Sequence, residues 1–356
     1  MMTGRERIEN TFLHKPVDHI GAFECFWDDT GGAWAEKGWI PPGTGLYDYF
    51  DYDIAITSPF NMVADINFKP VTLEETEETI LTLDGNGAKF RQHKLHIATP
   101  EHVGFAVSDR ESYLEHIRPL LLNRAGRINF EAYRAAKENA RRRGQFLMWI
   151  GNTGFELMEL ICGHENLLAG MALDPDWVRE MAMDYARLVA DLMEELFDRE
   201  GAPDGIWCFV DLGYKERPFM SPRMFDELLK PAFQHELGYA KARKLPAMLH
   251  SCGMVEKLIP GIIESGFDAL QPLEVKAGMD LIRLGRQYGD RLVLCGGLDI
   301  RALCTNELAI VDGELAKVPK ALENGPYILH TDHSVPKTVD LATYEYFLEK
   351  GRSYTP

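Results

Sequence analysis

Short apolar runs recur along the chain, each ended by a polar residue or a glycine and followed by a longer stretch with helical spacing. Eight of these runs read as strands, over residues 19–27, 52–60, 146–154, 206–211, 247–250, 269–274, 292–299 and 327–332. Helices are predicted over 5–13, from Phe155 onward, and over 176–199, where Asp174-Pro175 supplies the start signal. After Gly201 the alternation is regular, with a helix of about a dozen residues after each strand, and repeats of that length build a parallel sheet. Eight units, with no glycine-rich phosphate fingerprint after the first strand, favour an α/β fold of the closed (β/α)8 TIM-barrel type over an open sheet. Residues 68–107 break the rhythm with alternating Thr, Ile, Leu and charged positions around Asp84-Gly-Asn-Gly87, a turn signal, and are expected to form a small antiparallel hairpin insertion. The whole of residues 1–356 is expected to be one barrel domain.

In such a barrel the groups that do chemistry sit where strands end. Ionisable residues collect there: Glu24, Asp211, His250, Cys252, Glu274, Asp299, Asp332 and His333, with Glu156 just past the third strand. His250 and Cys252, in Pro246-Ala-Met-Leu-His-Ser-Cys-Gly253, lie two residues apart on an extended chain and so face one side, and imidazole with thiolate is a good donor pair for zinc. The alternative is a backbone-bonded histidine beside an inert cysteine. Asp299 could equally cap the helix that starts at Ile300, and Glu156 could be a first-turn acid favoured by its helix dipole. Cys208 and Cys295 lie inside strands and read as core. Phe23, Phe26, Trp27 and Trp149 could line an aromatic pocket or simply pack.

Charge narrows the partners. Fifty-five acidic against 38 basic residues give a formal charge of −17, which repels nucleic acid and anionic lipid. The chain shows neither an apolar leader nor an apolar run of about 18 residues, and its six scattered cysteines suggest no disulfide framework, so a cytoplasmic location is expected.

The stretches Asp211-Leu-Gly, Ser221-Pro-Arg-Met-Phe, His250-Ser-Cys-Gly, Gly266-Phe-Asp-Ala-Leu-Gln-Pro-Leu-Glu274, Gly296-Gly-Leu-Asp299 and Tyr327-Ile-Leu-His-Thr-Asp-His-Ser-Val-Pro336 resemble the uroporphyrinogen decarboxylase superfamily. With Arg5-Glu-Arg-Ile and Pro16-Val-Asp-His the resemblance spans nearly the whole chain, and it implies the same barrel. True uroporphyrinogen decarboxylases carry an arginine-rich motif after the first strand to grip a polycarboxylate. Here that segment is Phe23-Glu-Cys-Phe-Trp-Asp-Asp29, with three acids and no arginine.

The chain is more similar to the superfamily's corrinoid-dependent zinc methyltransferases, whose signature is His-x-Cys at the fifth strand plus a third ligand, usually cysteine, after the last. His250 and Cys252 match it. The family's third-ligand spacing lands on Asp332, with His333 adjacent, and zinc accepts either. The resemblance therefore implies a zinc enzyme that moves a methyl group between a small molecule (methyl ether, methylamine or thiol) and a corrinoid. No Asp-x-His-x-x-Gly segment that would clasp cobalamin occurs, so the corrinoid is expected on a separate partner protein. An oxygen or nitrogen ligand in place of the second thiolate makes zinc harder, which tilts the expectation towards an oxygen-bearing donor. The strand-end acids Glu24, Glu156, Asp211, Glu274 and Asp299 are the catalytic candidates. A homodimer is compatible with this reading. Two rivals stay open: a metal-free decarboxylase or lyase using a strand-end acid such as Asp211, and a barrel without chemistry.

Overall fold

The computed structural model describes residues 1–95 and 100–355. In chain order the strands are β1 (Gly21–Ala22), β2 (Ile54–Thr57), β3 (Val71–Glu75), β4 (Thr79–Leu83), β5 (Ala88–His93), β6 (Glu101–Phe105), β7 (Phe146–Asn152), β8 (Gly205–Phe209), β9 (Gly213–Tyr214), β10 (Arg217–Pro218), β11 (Ala247–His250), β12 (Ala269–Gln271), β13 (Val293–Cys295) and β14 (Tyr327–Leu329). Eight of them form one parallel sheet in the order β1-β14-β13-β12-β11-β8-β7-β2. These are the eight expected strands. The two ends of the sheet meet where the Asp53 N–H, one residue before β2, donates to the Ala22 carbonyl of β1 at 3.2 Å. The result is a nearly closed (β/α)8 barrel with its helices outside.

Arg7, on the first helix (Gly4–Phe12), locks that seam. Its guanidinium pairs with Asp53 and, at 2.9 Å, with Asp18, while the second Asp53 oxygen accepts the Ala22 N–H at 2.7 Å. Arg7 and Asp53 are buried at the seam, while the Asp18 side chain stays 26 % exposed. The cluster was invisible in the sequence, because its three members are ordinary charged residues far apart along the chain.

Local signals set the helix ends. Asp174 accepts from the Trp177 N–H and Pro175 opens the helix Pro175–Glu200. That helix buries Trp177, Val178, Met181, Ala182, Tyr185, Leu188, Val189 and Leu192, a three-four spacing that turns one face to the barrel wall. On β8, Ile206 and Cys208 alternate with Trp207, whose ring meets Phe23 inside the barrel at 5.4 Å. Cys208 and Cys295 are fully buried, in line with their core reading. Phe23 and Trp149 are core as well, Phe26 packs against Trp34, Phe50 and Tyr344, and only Trp27 is substantially exposed.

The insertion is larger than a hairpin: β3-β4-β5-β6 form a four-stranded antiparallel sheet, with Asp84-Gly-Asn-Gly87 turning β4 into β5. Residues 96–99 of the expected insertion lie outside the described residues. The sheet docks on the helix Gly154–Leu173 where that helix kinks at Gly163 (φ 72°). A Cβ there would come within 2.3 Å of the Phe105 ring, so the kink and the missing side chain together make the seat. No described helix is long and apolar enough to cross a membrane.

Candidate metal centre and adjoining cleft

β11 is buried along its length and delivers His250 at its end. The next turn passes so close to the loop after β8 that a Cβ on Gly253 (φ 73°) would lie 2.5 Å from the Gly213 carbonyl carbon. Glycine at both positions lets the two loops meet, which draws Asp211 to the His250–Cys252 pair. His250 Nε2 lies 3.5 Å from Cys252 Sγ and 3.5 Å from Asp211 Oδ1. Among the described residues, these three are the group whose donor atoms all fall within 4.8 Å of one another. His250 and Cys252 thus share one side, as expected. The third member is Asp211, not Asp332 or His333.

Asp332 is engaged elsewhere. Its two carboxylate oxygens accept the N–H groups of Val275 (2.9 Å) and Ile300 (2.7 Å), at the exits of β12 and β13. Burial nonetheless holds its pKa up at about 6. His333 stacks on Trp27 at 5.6 Å between ring centres. Several other candidate acids do comparable work along the rim: Glu24 accepts from Thr331 N, Glu156 from Asp211 N, Asp211 from Cys252 N, and Glu274 from Gly253 N. Each bond ties one strand exit to a neighbouring one and satisfies a backbone donor that the ending sheet leaves open. Asp299 caps the helix Ile300–Cys304 and pairs with Arg301 at 2.6 Å, the capping alternative noted for it.

His250 is held in one orientation. Its ring lies flat on Phe209 at 3.7 Å, and Nδ1 meets Gln271 Oε1 at 2.5 Å. An amide oxygen accepts only, so Nδ1 carries the hydrogen and the Nε2 lone pair is free towards Asp211 and Cys252. Gln271 is fixed in turn, because its Nε2 reaches His330 Nε2 at 3.1 Å, which places the His330 hydrogen on Nδ1 beside the Thr331 carbonyl and, at 3.1 Å, Glu24 Oε1. A buried chain Glu24–His330–Gln271–His250 therefore crosses the barrel interior. Burial pushes Glu24 up to about 8 and His330 down to about 4, so each favours its neutral form. Gln271 and His330 were absent from the sequence-derived candidates. Their signal was a polar residue at or just past the end of a buried apolar strand.

The strongest charges acting on Cys252 are carboxylates. Burial raises its thiol well above the usual range, and Asp211, Glu274 and Asp332 raise it further. Burial would raise Asp211 too, but the hydrogen bond and positive charge that His250 offers when its Nε2 carries a proton, together with the Cys252 N–H, outweigh it and bring that carboxyl below its ordinary value. Glu156, behind Asp211, is lifted to about 7 by burial and by the Asp211 charge.

Asp211 and Glu156 also form one end of a cleft of about 1020 Å³ between β5, β6, the helix Gly154–Leu173 and the β9–β10 turn. Strand-end acids, a histidine and a cysteine at the C-terminal mouth, opening onto such a cleft, define a barrel-enzyme type of site. The chain belongs to the uroporphyrinogen decarboxylase (URO-D) family, whose profile matches residues 117–354. Among solved structures it is similar to a methyltransferase from Methanosarcina mazei, at 14% identity over 99% of this chain and 98% of that one, with a TM-score of 0.66. At that identity the likeness establishes the shared fold. A protein assigned as a vitamin-B12-independent methionine synthase from Listeria monocytogenes aligns more loosely, at 11% identity over 95% of each chain with a TM-score of 0.44. No curated protein sequence matches the chain.

Proposed function

We propose that this chain, acting as one barrel domain in the cytoplasm, is a zinc-dependent methyltransferase that moves a methyl group between a small molecule and a corrinoid carried by a separate protein. The observation that carries the reading is the Asp211–His250–Cys252 group, with His250 Nε2 turned towards its two neighbours by Gln271.

The residues fit a divalent cation. Nitrogen, sulfur and carboxylate oxygen are all zinc donors, and three protein ligands leave the open position that a catalytic site needs. The thiol is surrounded by Asp211, Glu274 and Asp332, an arrangement that a +2 charge would balance. Zinc held there supplies Lewis acidity to a substrate heteroatom. The chain's own groups do the rest. Gln271 fixes the imidazole, Phe209 keeps its plane, and Glu156, held up at about 7 by burial and the Asp211 charge, can take up or deliver a proton where the cleft begins. The likeness to the Methanosarcina methyltransferase supports methyl transfer as the reaction.

The test is zinc content together with transfer. The wild-type chain is expected to purify with about one zinc and to methylate a cobalt(I) corrinoid protein from a suitable donor, followed by the change in cobalt absorbance. Cys252→Ala should lose both while keeping most of its fold, because the barrel core does not depend on the metal. Full zinc retention by Cys252→Ala, or a wild-type protein with no transition metal, would overturn the assignment.

A further inference from the structure

The insertion sheet and the barrel meet over a small seat that gathers an acid and two bases. Phe105, at the end of β6, lies against the bare backbone of Gly163, and earlier on the same strand His102 Nδ1 comes within 2.9 Å of Glu159 Oε1. A second imidazole reaches that oxygen from the helix itself, His164 Nδ1 standing 3.2 Å away. The Glu159 side chain is 6 % exposed, whereas those of His102 and His164 are 25 % and 45 % exposed. The acid is therefore buried, and both bases can exchange protons with solvent. Rings hold the two imidazoles: His102 meets Phe90 edge-on at 4.6 Å, and His164 tilts against Phe219 at 4.8 Å.

The surrounding charges favour a proton on these rings. Glu159 bonds His164 and raises its pKa above the ordinary histidine value against the opposing effect of burial, and Glu156 and Asp211 add to the rise. Glu165 is a further acid on the same wall. Arg91, next to Phe90 on its strand, points to the other face of the sheet and pairs with Glu74 and Glu101. Lys215, Glu216 and Arg217 of the β9–β10 turn are exposed. Among the described residues, His102 and His164 are the bases within ion-pair reach of Glu159.

We propose that His102, Glu159 and His164 form a pH-sensitive clasp that holds the insertion sheet on the barrel and sets the opening of the cleft leading to Asp211. One wall of that cleft is Phe90, His102 and Phe105 of the sheet, and the facing wall is the helix that carries Glu159 and His164, so the clasp ties wall to wall. With protons on the imidazoles, Glu159 makes two charge-assisted contacts, one of them across the seat. Once the protons leave, neutral rings face a buried carboxylate that is better solvated by water, and the seat keeps Phe105 and the 3.4 Å contact of Asn166 Nδ2 with the Val107 carbonyl. The direction follows from His164. Its raised pKa makes its contribution fully present below about 6.5 and lost as pH rises through the higher folded-state value, so the clasp is shut in mild acid and released towards about pH 8.

The clasp needs neither metal nor substrate, so its test is separate from that of the methyltransferase reading. Hydrogen–deuterium exchange of the full chain would be followed at about pH 6 and about pH 8, with each rate divided by the intrinsic chemical rate at that pH. The amides of β5 and β6 are expected to lose protection on the order of tenfold between the two, the worth of one hydrogen bond to a charged group, while those of β11 and β12 keep theirs. Glu159→Gln should show the weaker protection of β5 and β6 at both pH values. Should that variant not fold, His102→Gln, which leaves the helix side of the clasp in place, should likewise lose the pH response. Equal protection of β5 and β6 at the two pH values in the wild type, a wild-type response in whichever variant folds, or a loss shared equally by the barrel strands would each overturn the clasp.

Discussion

Replacing Gln271 with leucine should loosen the candidate metal centre without touching any of its three donors. The side chain accepts from His250 Nδ1 and donates to His330 Nε2 in the barrel interior, where His250 is 7 % exposed and His330 fully buried. Leucine fills a similar volume and serves neither partner. Each buried polar group left unsatisfied costs about 1–3 kcal/mol, so with two such groups Gln271→Leu is expected to lose about 2–6 kcal/mol of stability. The effect on metal is separate. Once Nδ1 has no acceptor the ring can turn and its tautomer is no longer set, and loss of such a partner typically weakens binding by about 10–100-fold, or about 1.4–2.8 kcal/mol. Gln271→Glu, which keeps an acceptor for Nδ1, should recover zinc affinity more than it recovers stability, because a buried carboxylate carries its own desolvation cost. Competition for zinc against a chromophoric chelator reads the first quantity and urea unfolding of the metal-free protein the second. Wild-type zinc affinity in Gln271→Leu would show that the Glu24–His330–Gln271 chain has no part in orienting His250.

Two further perturbations address the scaffold. Glu236, on the helix Lys230–Ala242, is fully buried with one oxygen unpartnered and the other facing Cys208 Sγ at 3.4 Å, and burial raises it to about 8. A raised folded-state pKa means that its contribution is fully present below about 4.5 and is lost as pH rises through about 8. Glu236→Gln should therefore gain on wild type between pH 5 and 8.5, by a few kcal/mol and at most about 5, and a difference independent of pH in urea titrations would refute this. Arg7→Met should cost about 3–5 kcal/mol by stranding the buried Asp53 at the barrel seam, with part of the loss recovered on adding Asp53→Asn. Near-wild-type unfolding of the single variant would mean that the cluster does not hold the seam.

The barrel was legible because its signals are local and repeated. A run such as Ala247-Met-Leu-His250 can be read as a strand from its neighbours alone, and eight such runs with helices between them leave few topologies. His250 and Cys252 were legible for the same reason, since two residues on one extended segment have their relative direction fixed by the backbone. The insertion was legible only at its centre, where Asp84-Gly-Asn-Gly87 marks a turn. The outer pairings of β3 with β4 and β5 with β6 carry weaker turn chemistry, and β3 is exposed along its length, so its apolar residues Val71 and Leu73 give no burial pattern to read.

The third member of the candidate metal group shows where such reading ends. Asp211 and Asp332 look alike in sequence, each an acid directly past a buried strand, and family spacing favours Asp332. What separates them is how many backbone donors each has to satisfy. Asp332 stands where the exits of β12 and β13 both present an open N–H, so its two oxygens are taken. Asp211 meets one such donor, Cys252 N, and the oxygen that accepts it also lies 3.5 Å from His250 Nε2. A carboxylate at a barrel rim thus divides its lone pairs between closing the sheet and doing chemistry, and the division depends on loops that approach from elsewhere in the chain. Gly213 and Gly253 make that approach here, and their close passage brings Asp211 to His250 and Cys252.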